Sequence, residues 1–148
     1  MRAGDLAASL PTVTLSTAAI EAARVLAGLN LPGLIVVDER GRPVTILPGS
    51  QVLRMAVPQY CQDDLALARV VDEAAADLLL RGLGDRTVEQ CLPRERRELP
   101  VVDTDATVLE VAALMARARS PLVAVVGPDG AMRGAITLDA LLDRVLAS

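Results

Sequence analysis

Apolar positions along the chain change period several times, and each change marks an element. Thr12-Val13-Thr14-Leu15 is β-branched, bounded by Pro11 and a Ser16-Thr17 turn, and predicts a short strand. Ile20, Ala23 and Ala27 recur at helical spacing and predict a helix over 18–29, capped by Ser16 or Thr17. Asn30-Leu31-Pro32-Gly33 stops that helix. Leu34-Ile35-Val36-Val37 is an unbroken apolar run, short enough for a strand buried on both faces. Asp38-Glu39-Arg40-Gly41 has the composition of a hairpin turn, Val44 to Leu47 returns as a strand, and Pro48-Gly49-Ser50 opens a helix toward Val57.

The same order then returns. Leu10 to Val57 matches Leu99 to Leu146 without a gap, pairing Pro11 with Pro100, Glu21 with Glu110, Pro32 with Pro121 and Gly41 with Gly130 at one shift (110 − 21 = 89). Such self-similarity marks a tandem duplication. Val101-Val102 is the short strand of the second copy, and Thr107 with Glu110 forms a capping box for a helix toward Ala118. Leu122 to Val126 is its buried strand, Met132 to Ile136 its returning strand, and Thr137 opens a last helix through Val145. Ala140, at the third helical position, offers no partner for a second capping box. Between the copies, Asp63 to Leu80 predicts a helix ending near Gly82 and Gly84. Thr87 to Leu92 then resembles the helical lead-in Arg2 to Ala7, and Arg94-Glu95-Arg96-Arg97-Glu98 reads as a solvated charge run. The expected organisation is a first repeat over 1–57, a helical connector over 58–86 and a second repeat over 87–148.

Composition narrows the chemistry. At 148 residues and 52% apolar, the chain supports one domain or two small repeats sharing a core. Tyr60 is the only aromatic residue, so base stacking on aromatic platforms is excluded, and a net charge of −4 argues against a phosphate-backbone binder. All 15 basic residues are Arg, the mark of a GC-rich genome. Cys61 and Cys91 stand alone in a chain without His, which argues against zinc and for reduced thiols in a cytosolic protein. No apolar run approaches the ~18 residues of a membrane span. Asp5 interrupts the N-terminus before a secretion signal could form. The expectation is a cytoplasmic protein with no membrane and no nucleic-acid polymer as partner. Without His, Lys or a glycine-rich phosphate loop, no catalytic constellation is present, and the chain is expected not to be an enzyme.

The lead-in, the strand-helix-strand-strand-helix order, and the elements Ser120-Pro121-Leu122-Val123, Asp129-Gly130 and Gly134-Ala135-Ile136-Thr137 resemble a cystathionine-β-synthase (CBS) domain. Two in tandem resemble a Bateman module. The resemblance implies an α/β fold, more strictly α+β: two repeats about a pseudo-twofold, each a three-stranded sheet with two packing helices. It also implies a stand-alone regulatory module binding AMP, ADP, ATP or S-adenosylmethionine in the clefts between repeats. A homodimer paired through its helices and an unidentified regulated protein complete the expectation.

For the second repeat the implied ligand residues are Val102, Ser120, Pro121, Leu122, Arg133, Thr137 and Asp139. For the first they are Val13, Pro32, Gly33, Leu34, Ser50 and Gln51. The family's glycine-apolar-apolar-Thr-x-x-Asp motif is incomplete in both. Ala140 occupies the ribose position of the second repeat, and Asp139 sits one residue early, about 100° around an ideal helix. Thr45-Ile46-Leu47-Pro48 stands where the glycine and threonine belong in the first repeat, and Gln51 takes the ribose position. Thr137, Ser50 and Asp139 also read simply as cap or first-turn residues. The alternative is therefore a CBS dimer whose clefts have closed and whose task is protein interaction.

Overall fold

The computed structural model of the chain describes residues 1–70 and 74–147. A short helix α1 (Ala3–Leu6) leads into β1 (Thr12–Val13), α2 (Ala19–Leu29), β2 (Gly33–Val37), β3 (Pro43–Pro48) and α3 (Gly49–Ala56). Then come α4 (Gln59–Asp63), α5 (Leu65–Val70), α6 (Ala75–Leu83) and the short α7 (Val88–Cys91). The second half supplies β4 (Val101–Asp103), α8 (Val108–Ala118), β5 (Leu122–Val126), β6 (Met132–Thr137) and α9 (Leu138–Ala147). Two three-stranded sheets result, ordered β1-β2-β3 and β4-β5-β6. In each, the first strand runs parallel to the second, and β5 and β6 are antiparallel. This is the mixed α/β architecture, with a three-stranded sheet in each repeat, that the family resemblance implies.

Contacts divide the chain into two compact units, Met1–Thr14 with Ile35–Ile46 and Arg96–Ser148, and Leu15–Leu34 with Leu47–Glu95. In the first unit the two sheets share a core: Ile35, Val37 and Ile46 cluster with Leu122, Ala124 and Ala135. Under the repeat shift Ile35 corresponds to Ala124 (124 − 35 = 89) and Ile46 to Ala135 (135 − 46 = 89). At these two positions the copies have diverged to isoleucine in one sheet and alanine in the other, which lets the two interdigitate at interior density. The period-2 alternation of β5 sends Val123 and Val125 the other way, into a cluster with Val111 and Met115 of α8 and Leu141 of α9. β5 is buried on both faces, as its unbroken apolar run predicts. Each fully buried aliphatic side chain of this kind contributes about 1.5–3 kcal/mol.

The lead-in closes this unit. Ala3 is fully buried, its N–H donates to the Ala106 carbonyl at 2.8 Å, and the Asp5 carboxylate accepts from the Arg2 N–H at 2.9 Å. Farther on, Ala8 and Ala135 exchange two backbone hydrogen bonds, both 2.9 Å long. The lead-in before the first repeat therefore extends the sheet of the second. Gly134 permits the approach, since a Cβ there would lie 2.9 Å from the Ala8 carbonyl oxygen.

In the second unit α7 plays the corresponding part against the first repeat's helices. The Val88 N–H donates to the Thr17 carbonyl at 2.8 Å, and the Gln90 carboxamide accepts from the Thr87 N–H at 2.9 Å. Here the structure departs from sequence expectations in three places. The N-cap of α2 is Ala18, and the first helical N–H, of Ala19, is taken by the Arg86 carbonyl at 2.8 Å rather than by a hydroxyl of Ser16 or Thr17. The buried stripe of α2 is Ala19, Ala22 and Leu26, one step from the expected Ile20, Ala23 and Ala27. An alanine-rich helix is apolar on adjacent stripes, so its period does not choose between them. The stripe found matches α8, where Val111 and Met115 occupy the shifted positions (111 − 22 = 89; 115 − 26 = 89).

The third departure is the helix expected over Asp63 to Leu80, which is broken. Asp64 is extended and its carboxylate accepts from the Ala66 N–H at 3.0 Å, ending α4 and starting α5. Short polar side chains favour such local caps over helix interiors. Residues 71–73 of that expected helix lie outside the described residues. α6 ends at Leu83, where Gly84 turns to φ +48°, close to the predicted end.

α6 crosses α3 closely because position 82 is glycine; a Cβ there would run into the Ala56 carbonyl. Gly82→Ala should lower the unfolding free energy by about 1–3 kcal/mol through overpacking. Gly28→Ala in α2, with open space around the added methyl, should raise it by about 0.5–1 kcal/mol. Urea denaturation followed by circular dichroism measures both, and effects of the same sign would contradict this account of the α3–α6 crossing.

Candidate functional site

The hydrogen-bond register of the β5–β6 hairpin sets Thr137 opposite Leu122. The Leu138 N–H donates to the Pro121 carbonyl at 3.0 Å, which docks the start of α9 against Ser120-Pro121. Ser120 is buried, and its hydroxyl donates to the Leu122 carbonyl at 2.7 Å and accepts from the Leu122 N–H at 3.3 Å. The Thr137 hydroxyl accepts from the Ala140 N–H at 3.1 Å and caps α9. Ser120, Pro121, Leu122 and Thr137 thus come together at one end of the sheet, with Asp139 in the first turn of α9. Ser120 and Pro121 edge a cavity of about 420 Å³ between α8 and α9, walled by Ala112, Ala116, Leu138 and Leu142. Two other predicted residues lie elsewhere. Val102 is buried in the core beneath α8, and Arg133 sits at the hairpin end of β6, away from Thr137.

The first repeat preserves the main-chain part of this arrangement. The Pro32 carbonyl accepts from the Gly49 N–H at 3.0 Å, the same bond displaced by the repeat shift (121 − 32 = 89; 138 − 49 = 89). Gly33 and Leu34 are buried in β2 and Val13 is buried in β1. Ser50 edges a cavity of about 320 Å³ together with Leu53, Arg54, Val57 and Gln62. Gln51, at the ribose position, donates from its carboxamide nitrogen to the Cys91 carbonyl at 2.8 Å. Thr45, where the motif has glycine, is buried and donates its hydroxyl to the Arg97 carbonyl at 2.8 Å.

A further cavity, of about 220 Å³, lies within the first unit and takes its walls from both repeats. Leu10, Val37 and Met132 supply apolar walls, while Ser9, Thr12 and Arg133 bring polar groups. The two hairpins are tied here by the Met132 N–H, which donates to the Gly41 carbonyl at 2.9 Å. The Arg133 guanidinium stands 3.7 Å from the Asp129 carboxylate, both side chains being more than half exposed. Such an exposed pair is weak and leaves the cation open to competition from an anion. Sequence reasoning found Arg133 but not Ser9, Leu10 or Thr12. Their signal is non-local, because only the pairing of Ala8 with Ala135 carries the lead-in to β6.

Two other features bear on chemistry. Asp38 accepts from the N–H groups of Arg42 and Arg40, each at 2.9 Å, and these bonds hold its carboxyl below the usual carboxylate range despite some desolvation. Cys61 and Cys91 are both buried free thiols, and burial pushes the Cys91 thiol up against a smaller opposing effect of Arg86. Among the described residues no group of His, Cys, Asp and Glu is placed to hold a metal ion, and no helix is long and apolar enough to cross a membrane.

The family model for the CBS domain matches residues 92–147. A CBS domain-containing protein of unknown function from Kribbella flavida is 52% identical, covering 99% of both chains, and its crystal structure superposes with a TM-score of 0.88. This chain belongs to the CBS-domain family. More distant CBS pairs share the fold. CBSX2, solved in complex with AMP, is 20% identical over 99% of this chain and 96% of that chain, with a TM-score of 0.68. The CBS domain pair of protein MJ0100, solved with 5′-methylthioadenosine and S-adenosylmethionine, is 22% identical over 99% of both chains, with a TM-score of 0.65. No curated protein matches the chain.

In this CBS pair Thr137 has a structural task that is measurable apart from any ligand. Thr137→Ala should cost about 1 kcal/mol of stability in urea denaturation, because the Ala140 N–H loses its acceptor. An unchanged midpoint and slope would show that the cap contributes nothing.

Proposed function

We propose that this CBS pair is a regulatory module that takes an adenine-type small molecule between its repeats. The observation that carries the reading is the cavity of about 220 Å³ to which the lead-in and hairpin of the first repeat and β6 of the second all contribute. Small-molecule pockets usually span about 300–1,000 Å³, so this one suits a base or nucleoside with any phosphate outside, beside Arg133. The AMP of CBSX2 and the S-adenosylmethionine of the MJ0100 pair support an adenine ligand, with AMP, ADP, ATP or S-adenosylmethionine as the class. Thr137 and Asp139, with Ser120, Pro121 and Leu122, serve a ligand that reaches the far end of β6. Pro32, Gly33, Leu34, Ser50 and Gln51 are their first-repeat counterparts. In this reading residues 1–57 and 87–148 are the two repeats, 58–86 is the connector, and the task is regulation in the cytoplasm, not catalysis. The buried free thiols suit a reducing compartment.

Thermal unfolding with AMP, S-adenosylmethionine and adenosine tests this. A ligand bound only to the native state raises the midpoint with dose. Arg133→Gln should weaken AMP roughly tenfold, the equivalent of one lost charge-assisted hydrogen bond of about 1.5 kcal/mol, and leave adenosine unchanged. A flat response to all three at millimolar concentration sinks the reading.

One observation favours an assembly role beside it. Leu138 and Leu142, exposed by 43 and 44%, line the apolar cavity between α8 and α9, and Leu109 and Leu146 on the same two helices are exposed by 79 and 78%. Contiguous apolar surface of this kind marks association, and two-fold dimers are its commonest form. We read this face as a homodimer surface. Sedimentation should give a dimer for the parent chain and a monomer for Leu142→Glu; a monomeric parent chain refutes it.

A further inference from the structure

The connector holds a cavity of its own, of about 510 Å³, inside the second unit. Arg54 from the last turn of α3, Arg81 from the last turn of α6 and Arg86 beyond α6 all line it, with Tyr60 of α4. Among the described residues no Asp or Glu lines it, although the chain carries 19 acidic residues against 15 basic ones. A cation in a last turn offsets the helix dipole, which accounts for Arg54 and Arg81 one at a time. It accounts neither for Arg86 nor for Tyr60, the chain's single aromatic side chain, half exposed on the same wall.

The cavity is held open by packed and bonded elements. Gly82 lets α6 press onto the end of α3. The Gln62 carboxamide donates to the carbonyls of Arg54 and Val57, each at 2.9 Å, and fixes α4 across that same end. Those bonds also engage two carbonyls whose partial negative charge would oppose an anion. The Arg86 guanidinium rests 3.7 Å from the Met55 sulfur. The volume lies within the range of small-molecule pockets, about 300–1,000 Å³.

We propose that the connector cavity binds a small phosphorylated molecule, its phosphate held by Arg54 and Arg86 and its body laid against Tyr60. The guanidinium fork matches phosphate oxygens in pairs, and several forks around one phosphate form its strongest side-chain cradle. The phenol ring offers a flat face for the rest of the ligand. This site is separate from the inter-repeat cavity and does not depend on it.

Tyr60 supplies the test. With one Tyr and no Trp in the chain, tyrosine emission reports on this pocket alone. Pyrophosphate, which does not absorb at the exciting wavelength, is titrated into the full-length protein. The expected result is a saturable emission change whose apparent Kd rises at least tenfold in the Arg54→Gln/Arg86→Gln double variant. The unliganded melting midpoint of that variant should match the parent. Arg133→Gln should leave the titration unchanged. A non-saturating change, one reproduced by sodium chloride at equal ionic strength, or one unaltered in the double variant overturns the proposal. AMP stabilisation lost with Arg133→Gln but kept in the double variant belongs to the inter-repeat cavity, so the two readings fail separately.

Discussion

The contact between the two sheets is the one on which the rest of the molecule depends. A sheet of three short strands with helices on one face leaves its other face apolar, and neither repeat is large enough to cover that face alone. Ile35, Val37 and Ile46 meet Leu122, Ala124 and Ala135 there, and the exchange of isoleucine for alanine at two paired positions is what lets two similar surfaces fit. Once the sheets are pressed together, β5 is enclosed on both sides. The lead-in can then reach across to β6, where Gly134 leaves room for the Ala8 backbone.

That same filling decides where a ligand has room. The middle of the inter-sheet space is occupied by side chains, and the cavity shared by both repeats lies to one side, between the lead-in and β6. The polar groups of the family motif are meanwhile engaged locally: Ser120 with its own strand, Thr137 with the Ala140 N–H, Gln51 with the Cys91 carbonyl. A ligand contact at those positions competes with a bond already made. Arg133 makes only a weak surface pair, and the connector arginines line a cavity free of carboxylates among the described residues. The arginine-lined cavities of this chain thus lie away from the helix starts that the motif would use.

The duplication also separates what a repeat must keep from what it may lose. Main-chain bonds recur at the repeat shift, as in Pro32 with Gly49 and Pro121 with Leu138, because they position the helix behind each hairpin. The side-chain caps of the paired helices α2 and α8 differ. Thr107 accepts from the Glu110 N–H at 3.1 Å to start α8, whereas α2 starts from Ala18 and depends on the Arg86 carbonyl. Glycine at 134 is replaced by Thr45, whose hydroxyl binds the Arg97 carbonyl instead.

The sequence by itself determined the elements whose causes are local. The apolar run Leu122 to Val126 could only be a doubly buried strand, Gly41 and Gly130 had to supply the positive φ of the hairpin turns, and Thr107 and Thr137 had to cap helices. The duplication added the pairing of like elements, and with it the family. Tertiary structure alone decided which of two alanine stripes of α2 is buried, where the helix expected over Asp63 to Leu80 breaks, and that Ala8 pairs with Ala135. It also brought Arg54, Arg81 and Arg86 to one cavity and parted Arg133 from Thr137. The physical reason is range. Hydrophobic period, capping and turn chemistry act within a few residues, whereas a cavity is made by whichever distant surfaces meet, and no spacing along the chain records that meeting.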